Sequence, residues 1–361
     1  MAFRTPRAIP SLSLFLTLIW ALRWALRWAL IWALLISQGT GGQNGPPARP
    51  RVLRDPYFGV NAHIPSKEDL AHMEQSGFGY VRVDFTWDAV EPERGAFRWD
   101  ITDEVVRNAE ARGIRLVAIL GYCPRWASSG PDIHDPPKNV REWKGFVAAI
   151  VGRYKGRIRD WILWNEPNSP DFFKGTTEQF IKEVLIPGAR AAKEADPGCR
   201  IVGPDLAHLE SAHWDTWLDK ILAEAGSYLD VISHHCYKDS PSEVFRMLEG
   251  PSRPWEPPPV QQVIERRGQE GKPFWLTEVG WRSDRVGKDR QAGYLVSLLK
   301  GANQRRWISK VFIYELRDSP QEPGFGLLHY SGKPKPSYTA VAGYIRSMSA
   351  GHQIAHRLPP R

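Results

Sequence analysis

Eight short apolar runs, separated by segments with helical periodicity, constrain the fold of this chain more than any other feature of its sequence. The runs are rich in β-branched and aromatic residues, and several are almost continuously apolar. This pattern is typical of parallel strands that are buried on both faces. The runs occupy residues 58–64, 80–87, 115–122, 160–165, 200–206, 229–237, 273–281 and 310–316.

Amphipathic helices are predicted between these runs. In residues 140–154 the apolar side chains recur every three or four positions, which gives one buried stripe, and Asn139 can cap its start. A second helix is expected to begin after Ser66, because Asp69 follows three residues later, and to end at Gly77. Further helices are predicted at 102–112, 177–195, 212–226, 259–270 and 287–304.

Eight strand–helix units in about 300 residues favour a single closed (β/α)8 TIM barrel of the α/β class. An open doubly wound sheet is the alternative. Such a sheet usually carries a glycine-rich turn after its first strand, and the sequence GVNAHIPS at 59–66 is not such a turn. In a barrel the functional residues stand at the C-terminal ends of the strands, so we expect the chemistry there.

The first fifty residues differ in character from the rest of the chain. Arg4 and Arg7 precede a long apolar stretch at 9–36, and small and polar residues follow it. This order is typical of an export signal. The stretch is also long enough to remain as an uncleaved membrane anchor, although Arg23 and Arg27 interrupt it. A wrongly chosen start codon upstream of a shorter signal is the remaining alternative.

These patterns divide the chain into four segments. We expect a signal peptide or membrane anchor at 1–38, a flexible linker at 39–54, the barrel domain at 55–348 and a C-terminal tail at 349–361. The protein is therefore expected to be secreted or periplasmic, and tethered to a membrane if its N-terminal segment is retained. We expect a monomer.

The positive charge of the chain resides largely in its N-terminal segment. The sequence has 48 Lys and Arg residues against 40 Asp and Glu residues. Five of the arginines, and none of the acidic residues, lie in residues 1–50, so the remainder is close to neutral. This distribution argues against a nucleic-acid partner. Three cysteines are too few for a disulfide scaffold, and we expect them to be buried thiols.

Two glutamates stand at the ends of opposite runs. The fourth run leads into WNEPN, which contains Glu166, and the seventh ends in TEVGW, which contains Glu278. In an eight-stranded barrel these ends face each other across a narrow mouth. Glycoside hydrolysis needs such a pair, because one carboxyl protonates the leaving oxygen while the other attacks the sugar or activates water. We expect their oxygens to lie about 5–5.5 Å apart, the separation of a double-displacement enzyme.

Polar residues at neighbouring strand ends are candidates for supporting roles. Asn165 can donate to a sugar hydroxyl, and Tyr237 can orient the attacking carboxylate. Arg82, within an apolar run, is too costly to bury without a partner, and its charge would keep a neighbouring glutamate ionised. His63 lies near the end of the first run. His235, near the end of the sixth, suits a site role and a structural role equally.

Aromatic residues near the strand ends can stack on sugar faces. The candidates are Trp126, Trp281 and Tyr314, with Trp164 and Trp87 as further ones. The proline-rich stretch 251–259 either walls the cleft, with Trp255 as a contact, or is a plain spacer.

Six motifs, in order along residues 55–345, resemble the clan A glycoside hydrolases, which are retaining enzymes on a (β/α)8 barrel. The resemblance is to family 39 and to neighbouring family 5-like sequences. The motifs read VRVDFTWDAVEPERGAFRWD, GYCPRWA, LWNEPN, HHCY, LTEVGW and IYELRD.

This resemblance implies roles for individual residues. Glu166 would be the general acid/base and Glu278 the nucleophile. Asn165 would bind the 2-hydroxyl of the sugar, and Tyr237 would hold the nucleophile, with His235 and Arg82 also in the site. Many clan members carry a tryptophan late in the eighth strand as the floor of the cleavage subsite, whereas this chain has Tyr314 in that region.

The sequence therefore predicts a retaining glycosidase that acts on a polysaccharide or oligosaccharide and needs no cofactor. A carbohydrate-binding pseudo-enzyme on the same barrel is the alternative, and the intact pair of glutamates argues against it. A metal-dependent hydrolase is disfavoured, because the sequence has no HxH or HExxH spacing and the adjacent His234 and His235 are expected to point to opposite faces of their strand.

Overall fold

The computed structural model describes residues 55–357 and contains all eight predicted strands. They form a closed barrel in which each strand pairs in parallel with the next and the last pairs with the first. The prediction of a (β/α)8 barrel is confirmed, and the open-sheet alternative is wrong. The strands are β1 (Asp55–Asn61), β2 (Phe78–Asp84), β3 (Arg115–Leu120), β4 (Asp160–Leu163), β5 (Arg200–Leu206), β6 (Val231–His235), β7 (Phe274–Val279) and β8 (Ile308–Ile313).

Helices connect the strands and pack around the barrel. A π-helical stretch, Phe180–Leu185, joins α5 to α6, so the helix predicted at 177–195 is present but not uniform. The last helix was not predicted, and it continues past residue 348, where we expected the barrel domain to end. The helices are α1 (Lys67–Ser76), α2 (Trp87–Val90), α3 (Asp100–Ala111), α4 (Val140–Arg153), α5 (Thr177–Gln179), α6 (Ile186–Ala195), α7 (Trp214–Ala225), α8 (Pro241–Glu249), α9 (Val260–Arg266), α10 (Ser283–Val286), α11 (Lys288–Asn303) and α12 (Pro336–Arg357).

The capping signals read from the sequence act as expected at α1. The backbone N–H of Asp69 donates to Ser66 Oγ at 3.1 Å, and the backbone N–H of Ser66 donates to Asp69 Oδ2 at 3.0 Å. Gly77 ends the helix with a φ of 92°, a left-handed conformation that glycine adopts at low cost. A side-chain cap of this kind stabilises a helix by about 1 kcal/mol.

Side chains fill the interior of the barrel. The ring of Phe312 lies against the backbone of β1, where a Cβ at Gly59 would come within 2.3 Å of it. The three cysteines are buried free thiols, as expected. The residues that pack together inside the barrel are Tyr80, Val117, Ile119, Ile162, Val202, Val231, Trp275 and Phe312.

The signal or anchor predicted at 1–38 and the linker at 39–54 lie outside the described residues. Between residues 55 and 357, no helix combines the length and the apolar character needed to cross a bilayer.

Candidate active site

A cavity of about 620 Å³ opens at the C-terminal ends of the strands. It brings together residues from the ends of strands that are far apart in sequence. Seven of the ten predicted site residues line it: His63, Arg82, Asn165, Glu166, Tyr237, Glu278 and Tyr314.

Glu166 is aimed into the cavity by an unusual turn after β4. Trp164 and Glu166 have φ values of 87° and 44°, a left-handed region that is uncommon for residues with side chains. The turn is held by the Glu166 N–H, which donates to the Asp205 carbonyl at 3.0 Å, and by the buried indole of Trp164, which donates to the Phe172 carbonyl at 2.7 Å. The backbone conformation of this turn therefore determines where the Glu166 carboxylate points.

Glu278 lies in β7 with both carboxylate oxygens held. Arg82 Nη1 donates to Oε1 at 2.6 Å, and the Tyr237 hydroxyl donates to Oε2 at 2.6 Å. The carboxyl group is buried, and its partners are a fixed cation and a neutral donor. The two hydrogen bonds fix the orientation of the carboxyl group.

His235 lies between the two glutamates. Its Nδ1 is 2.7 Å from Glu166 Oε1 and 3.6 Å from Glu278 Oε2, and its Nε2 is 3.6 Å from Asp205 Oδ2. Burial opposes protonation of the ring, but Glu278, Asp205 and Glu166 overcome this and raise the pKa of His235 to about 10. His235 is therefore a buried cation at neutral pH.

Arg82 joins the strand ends together. Besides Glu278, its guanidinium donates to Asn61 Oδ1 at 2.8 Å, to Asn165 Oδ1 at 2.6 Å and to Asp205 Oδ2 at 2.8 Å. Because its oxygen accepts from Arg82, the Asn165 amide can offer only its N–H groups to other partners, and Tyr122 is one of these.

Asp205 is a fully buried residue of the site that the sequence did not reveal. Burial disfavours its charge, but Arg82 and His235 hold the pKa of this carboxyl well below its usual range. Its Oδ1 also accepts from the Thr277 hydroxyl at 2.7 Å. A carboxylate beside Pro204 in an otherwise apolar run was the signal that could have identified it as the partner of Arg82.

His63 lies at the rim of the cavity between two carboxylates. Its Nδ1 is 2.7 Å from Asp84 Oδ2, and its Nε2 is 3.3 Å from Glu315 Oε2. Hydrogen bonds to Asp84 and Glu315 raise the pKa of His63 to about 10. The positive charge of His63 is therefore already balanced by carboxylates of the protein itself.

Two aromatic clusters form facing walls. On one side the rings of Tyr237, Tyr314 and Phe325 pack edge to face with centroids 5.4–6.1 Å apart, and the Tyr314 hydroxyl donates to Glu322. The other side is formed by residues that the sequence did not single out. These are Tyr122, His134 and Phe172, whose neighbouring centroids lie 4.9 and 6.3 Å apart.

Several predicted stacking residues do not line the cavity. Trp126 is half-buried and its indole donates to the Glu91 carbonyl at 3.1 Å, while Trp281 is buried and donates to the Lys238 carbonyl at 2.6 Å. Both indole N–H groups are thus satisfied by the backbone. Trp164 and Trp87 are fully buried, so all four are placed as structural residues. The stretch 251–259 is also absent from the lining, and its Trp255 is 77% exposed.

Glu166, His235 and Glu278 also have the proximity of metal ligands. Within the part of the chain that the structure describes, this is the one group of His, Cys, Asp and Glu residues so arranged, and its donor atoms lie within 4.8 Å of one another. Arg82 and Tyr237 already occupy both oxygens of Glu278. Glu166 Oε1 and His235 Nδ1 are hydrogen-bonded to each other at 2.7 Å. The donor atoms of the group are thus engaged with protein partners, and the group does not fit a metal site.

A (β/α)8 barrel with two glutamates converging from the ends of β4 and β7 defines the class of clan A glycoside hydrolases. The profile of Glycosyl hydrolases family 39 matches residues 73–349, which is more than half of the chain. The chain belongs to this family.

Curated relatives match parts of the chain. A Beta-xylosidase of Geobacillus stearothermophilus is 28% identical over 199 residues, which are 47% of this chain and 39% of that protein. A Beta-xylosidase of Caldicellulosiruptor saccharolyticus is 27% identical over 231 residues, 57% of this chain and 46% of that protein. An Endo-1,4-beta-xylanase of Agaricus bisporus is 28% identical over 162 residues, 40% of this chain and 47% of that protein. The match spans less than half of each of these relatives.

Solved structures share the fold. A family 39 glycoside hydrolase from Bacteroides cellulosilyticus WH2 has a TM-score of 0.67 at 22% identity, over 82% of this chain and 64% of that one. A monomeric beta-xylosidase from Caulobacter crescentus CB15 has a TM-score of 0.65 at 20% identity, over 82% of this chain and 69% of that one.

Proposed function

We propose that this protein is a retaining glycoside hydrolase that cleaves a neutral oligosaccharide or polysaccharide by double displacement, with Glu278 as nucleophile and Glu166 as general acid/base. The observation that carries the proposal is the closeness of the two carboxylates, whose nearest oxygens lie within 4.8 Å. Retaining enzymes hold their carboxyl groups about 5–5.5 Å apart, whereas inverting enzymes need about 6.5–9.5 Å to admit a water.

In the first step, a Glu278 oxygen forms a bond to the anomeric carbon as the bond from that carbon to the leaving oxygen breaks. Glu166 gives its proton to the leaving oxygen. In the second step, Glu166 takes a proton from water, and the resulting hydroxyl displaces Glu278 from the sugar. Each glutamate returns to its starting state.

The side chains around the pair hold both carboxylates in place for this exchange of roles. Arg82 donates to Glu278 Oε1 at 2.6 Å, and His235 Nδ1 lies 2.7 Å from Glu166 Oε1. Each glutamate therefore has a fixed partner in both steps.

Asn165 is suited to bind the sugar next to the reacting carbon. Its side-chain oxygen is held by Arg82 Nη2 at 2.6 Å, and the residue lines the cavity. The side-chain NH2 group, which also contacts Tyr122, is therefore the part of the amide that a substrate hydroxyl can meet. This supports the role that the family resemblance assigns to Asn165.

The charge of the cavity favours a neutral substrate. Asp84, Glu166, Glu278 and Glu322 line it, and the cationic lining residues Arg82 and His63 are already bound to carboxylates. A uronic acid would meet carboxylates without a spare cation to pair with. Because the relatives named above are β-xylosidases and endo-1,4-β-xylanases, a β-xyloside is the first substrate to test.

The proposal is tested with a panel of neutral aryl β-glycosides, beginning with the xyloside. We expect turnover by the wild type, complete loss in Glu278→Gln, and recovery of Glu166→Ala turnover on adding azide, which replaces the missing base-activated water. Glu265→Gln, on α9, is the matched control and should keep full activity. An active Glu278→Gln enzyme would refute the assignment, and sugar binding without any turnover would indicate a non-catalytic protein.

We further propose that residues 1–38 direct the protein out of the cytoplasm, on the strength of the apolar stretch at 9–36. Fractionation of cells that express the full chain, or a chain lacking residues 1–38, tests this. Identical cytoplasmic recovery of both chains would overturn it.

A further inference from the structure

A second cavity, of about 470 Å³, lies at the opposite end of the barrel from the two glutamates. We call it the basal cavity. It is bounded by residues at or just before the beginnings of the strands, where the active-site cavity is bounded by strand ends. Its charged residues are Arg115, Arg157, Arg159, Arg200, Lys310 and Asp160.

Two buried aromatic rings separate the basal cavity from the barrel interior. Tyr80 and Trp275 lie with centroids 5.9 Å apart, and both belong to the packed interior of the barrel. Lys310 Nζ is 4.3 Å from the Tyr80 centroid, Arg115 Cζ is 5.7 Å from the same centroid, and Arg200 Cζ is 5.2 Å from that of Trp275. Three cations therefore converge over one aromatic floor.

Negative charge is scarce in the basal cavity. Asp160 is the single acidic residue of its lining, and it is engaged by Arg200 Nε at 2.6 Å. Glu110 reaches Arg157 from α3 with two hydrogen bonds of 2.8 and 2.6 Å. Arg115 contacts the neutral hydroxyl of Tyr80 at 3.4 Å.

The charges of the basal cavity are thus only partly compensated. Within residues 55–357, neither Arg115 nor Arg159 forms an ion pair with a carboxylate. Since the body of the chain is close to neutral, five basic residues around one cavity are a local concentration of charge rather than a general property of the surface. Like charges held together repel one another, and an anion bound between them relieves that repulsion.

We propose that the basal cavity binds a phosphate-like oxyanion, carried either by a soluble phosphorylated molecule or by the headgroup of an anionic lipid. Guanidinium groups match the geometry of phosphate oxygens, and the cavity volume lies in the range of sites that hold small ligands. Binding takes place at the end of the barrel away from Glu166 and Glu278. The inference does not depend on the glycosidase activity.

The test uses the full chain and its double variant Arg115→Gln/Arg159→Gln. Arg141→Gln/Arg290→Gln, which removes two exposed arginines outside the basal cavity, is the matched control. Titration calorimetry with inorganic pyrophosphate, at constant ionic strength set with sodium chloride, measures binding of a soluble phosphate compound. Sedimentation with phosphatidylcholine vesicles, with and without phosphatidylglycerol, measures binding to an anionic lipid headgroup.

We expect saturable binding by the wild type and by the control, weakened at least tenfold in the cavity variant. If the cavity substitutions weaken the binding of pyrophosphate alone, the ligand is a soluble phosphorylated molecule. If they also weaken binding to vesicles that contain phosphatidylglycerol, the ligand is a lipid headgroup. Comparison of the variants separates this effect from any vesicle binding by residues 1–54, since all three chains share that segment. The absence of cavity-dependent binding in both arms would overturn the proposal.

Discussion

The Nδ1 atom of His235 lies 2.7 Å from Oε1 of Glu166. The same nitrogen is 3.6 Å from Oε2 of Glu278, so one buried cation contacts both carboxylates of the proposed reaction. His235 is a positioning residue in this arrangement, because it acts on the sugar through the two glutamates.

We expect His235→Gln to lower kcat/KM by about 100-fold, within the range found for groups that support acid–base catalysis. Removing a cation favours the protonated forms of neighbouring carboxylates, so the acid limb of the pH–rate profile should move to higher pH. Steady-state kinetics across pH on an aryl glycoside measures both effects. His72→Gln, on α1, is the control. A fall in rate with an unchanged profile would assign His235 a structural role alone.

Tyr237→Phe removes the hydroxyl that donates to Glu278 Oε2 at 2.6 Å. A hydrogen bond to a charged group contributes about 1.5–3 kcal/mol, so kcat/KM should fall by about 10- to 100-fold. Tyr294→Phe, whose ring packs on Trp281, should leave the rate unchanged. Equal rates for wild type and Tyr237→Phe would show that this contact does not orient the nucleophile.

Asp205→Asn leaves Arg82 and His235 with one fewer compensating charge in a fully buried setting. Breaking a buried ion pair by removing one partner costs about 3–5 kcal/mol. We expect a fall in Tm of about 6 °C or more by calorimetry, on the scaling for domains of this size. Asp219→Asn, which breaks the more exposed pair with Arg267, should cost less than about 1 kcal/mol. If the two variants lose similar amounts of stability, the Arg82–Asp205 pair does not stabilise the fold more than the exposed pair does.

His208 and His234 form a buried pair behind the site, with His208 Nδ1 2.9 Å from His234 Nε2. Burial lowers the pKa of His208 to about 3, and burial with the neighbouring histidines holds the pKa of His234 well below its usual value. Both rings are therefore neutral when folded, while the unfolded chain binds protons below about pH 6.5. The free energy of unfolding should fall by about 1.4 kcal/mol per histidine for each pH unit below that value.

Urea unfolding at about pH 7 and about pH 5 tests this. His208→Gln removes one histidine of the pair, so its loss of stability over this interval should be smaller than that of the wild type by about 2 kcal/mol. An identical pH dependence of wild type and variant would show that His208 is protonated in the folded state.

Much of the barrel could be predicted because its strands and helices follow from local patterns. The run at 273–281 contains β7, and the Ser66 and Asp69 pair marked the start of α1. The position of Glu166 after β4 followed from the same patterns, because residues that directly follow a strand lie at the C-terminal end of the barrel.

The remaining features of the site depend on packing, which the local sequence does not encode. Trp126 and Trp281 sit near strand ends, but their indole N–H groups are taken by backbone carbonyls of distant loops. Phe325 reaches the cavity from the connection after β8, and Asp205 is defined by a contact with Arg82, 123 residues away. Such relationships exist only once the barrel has closed.

The hydrogen bonds of Arg82 have a consequence for how the site comes into being. Its acceptors are Asn61, Asn165, Asp205 and Glu278, contributed by the first, fourth, fifth and seventh strand regions. A folding intermediate in which any of these strands has not yet joined the barrel lacks some of the hydrogen bonds that orient the nucleophile. Turnover thus reports completed assembly of the barrel, and recovery of activity after refolding should lag behind the recovery of secondary structure.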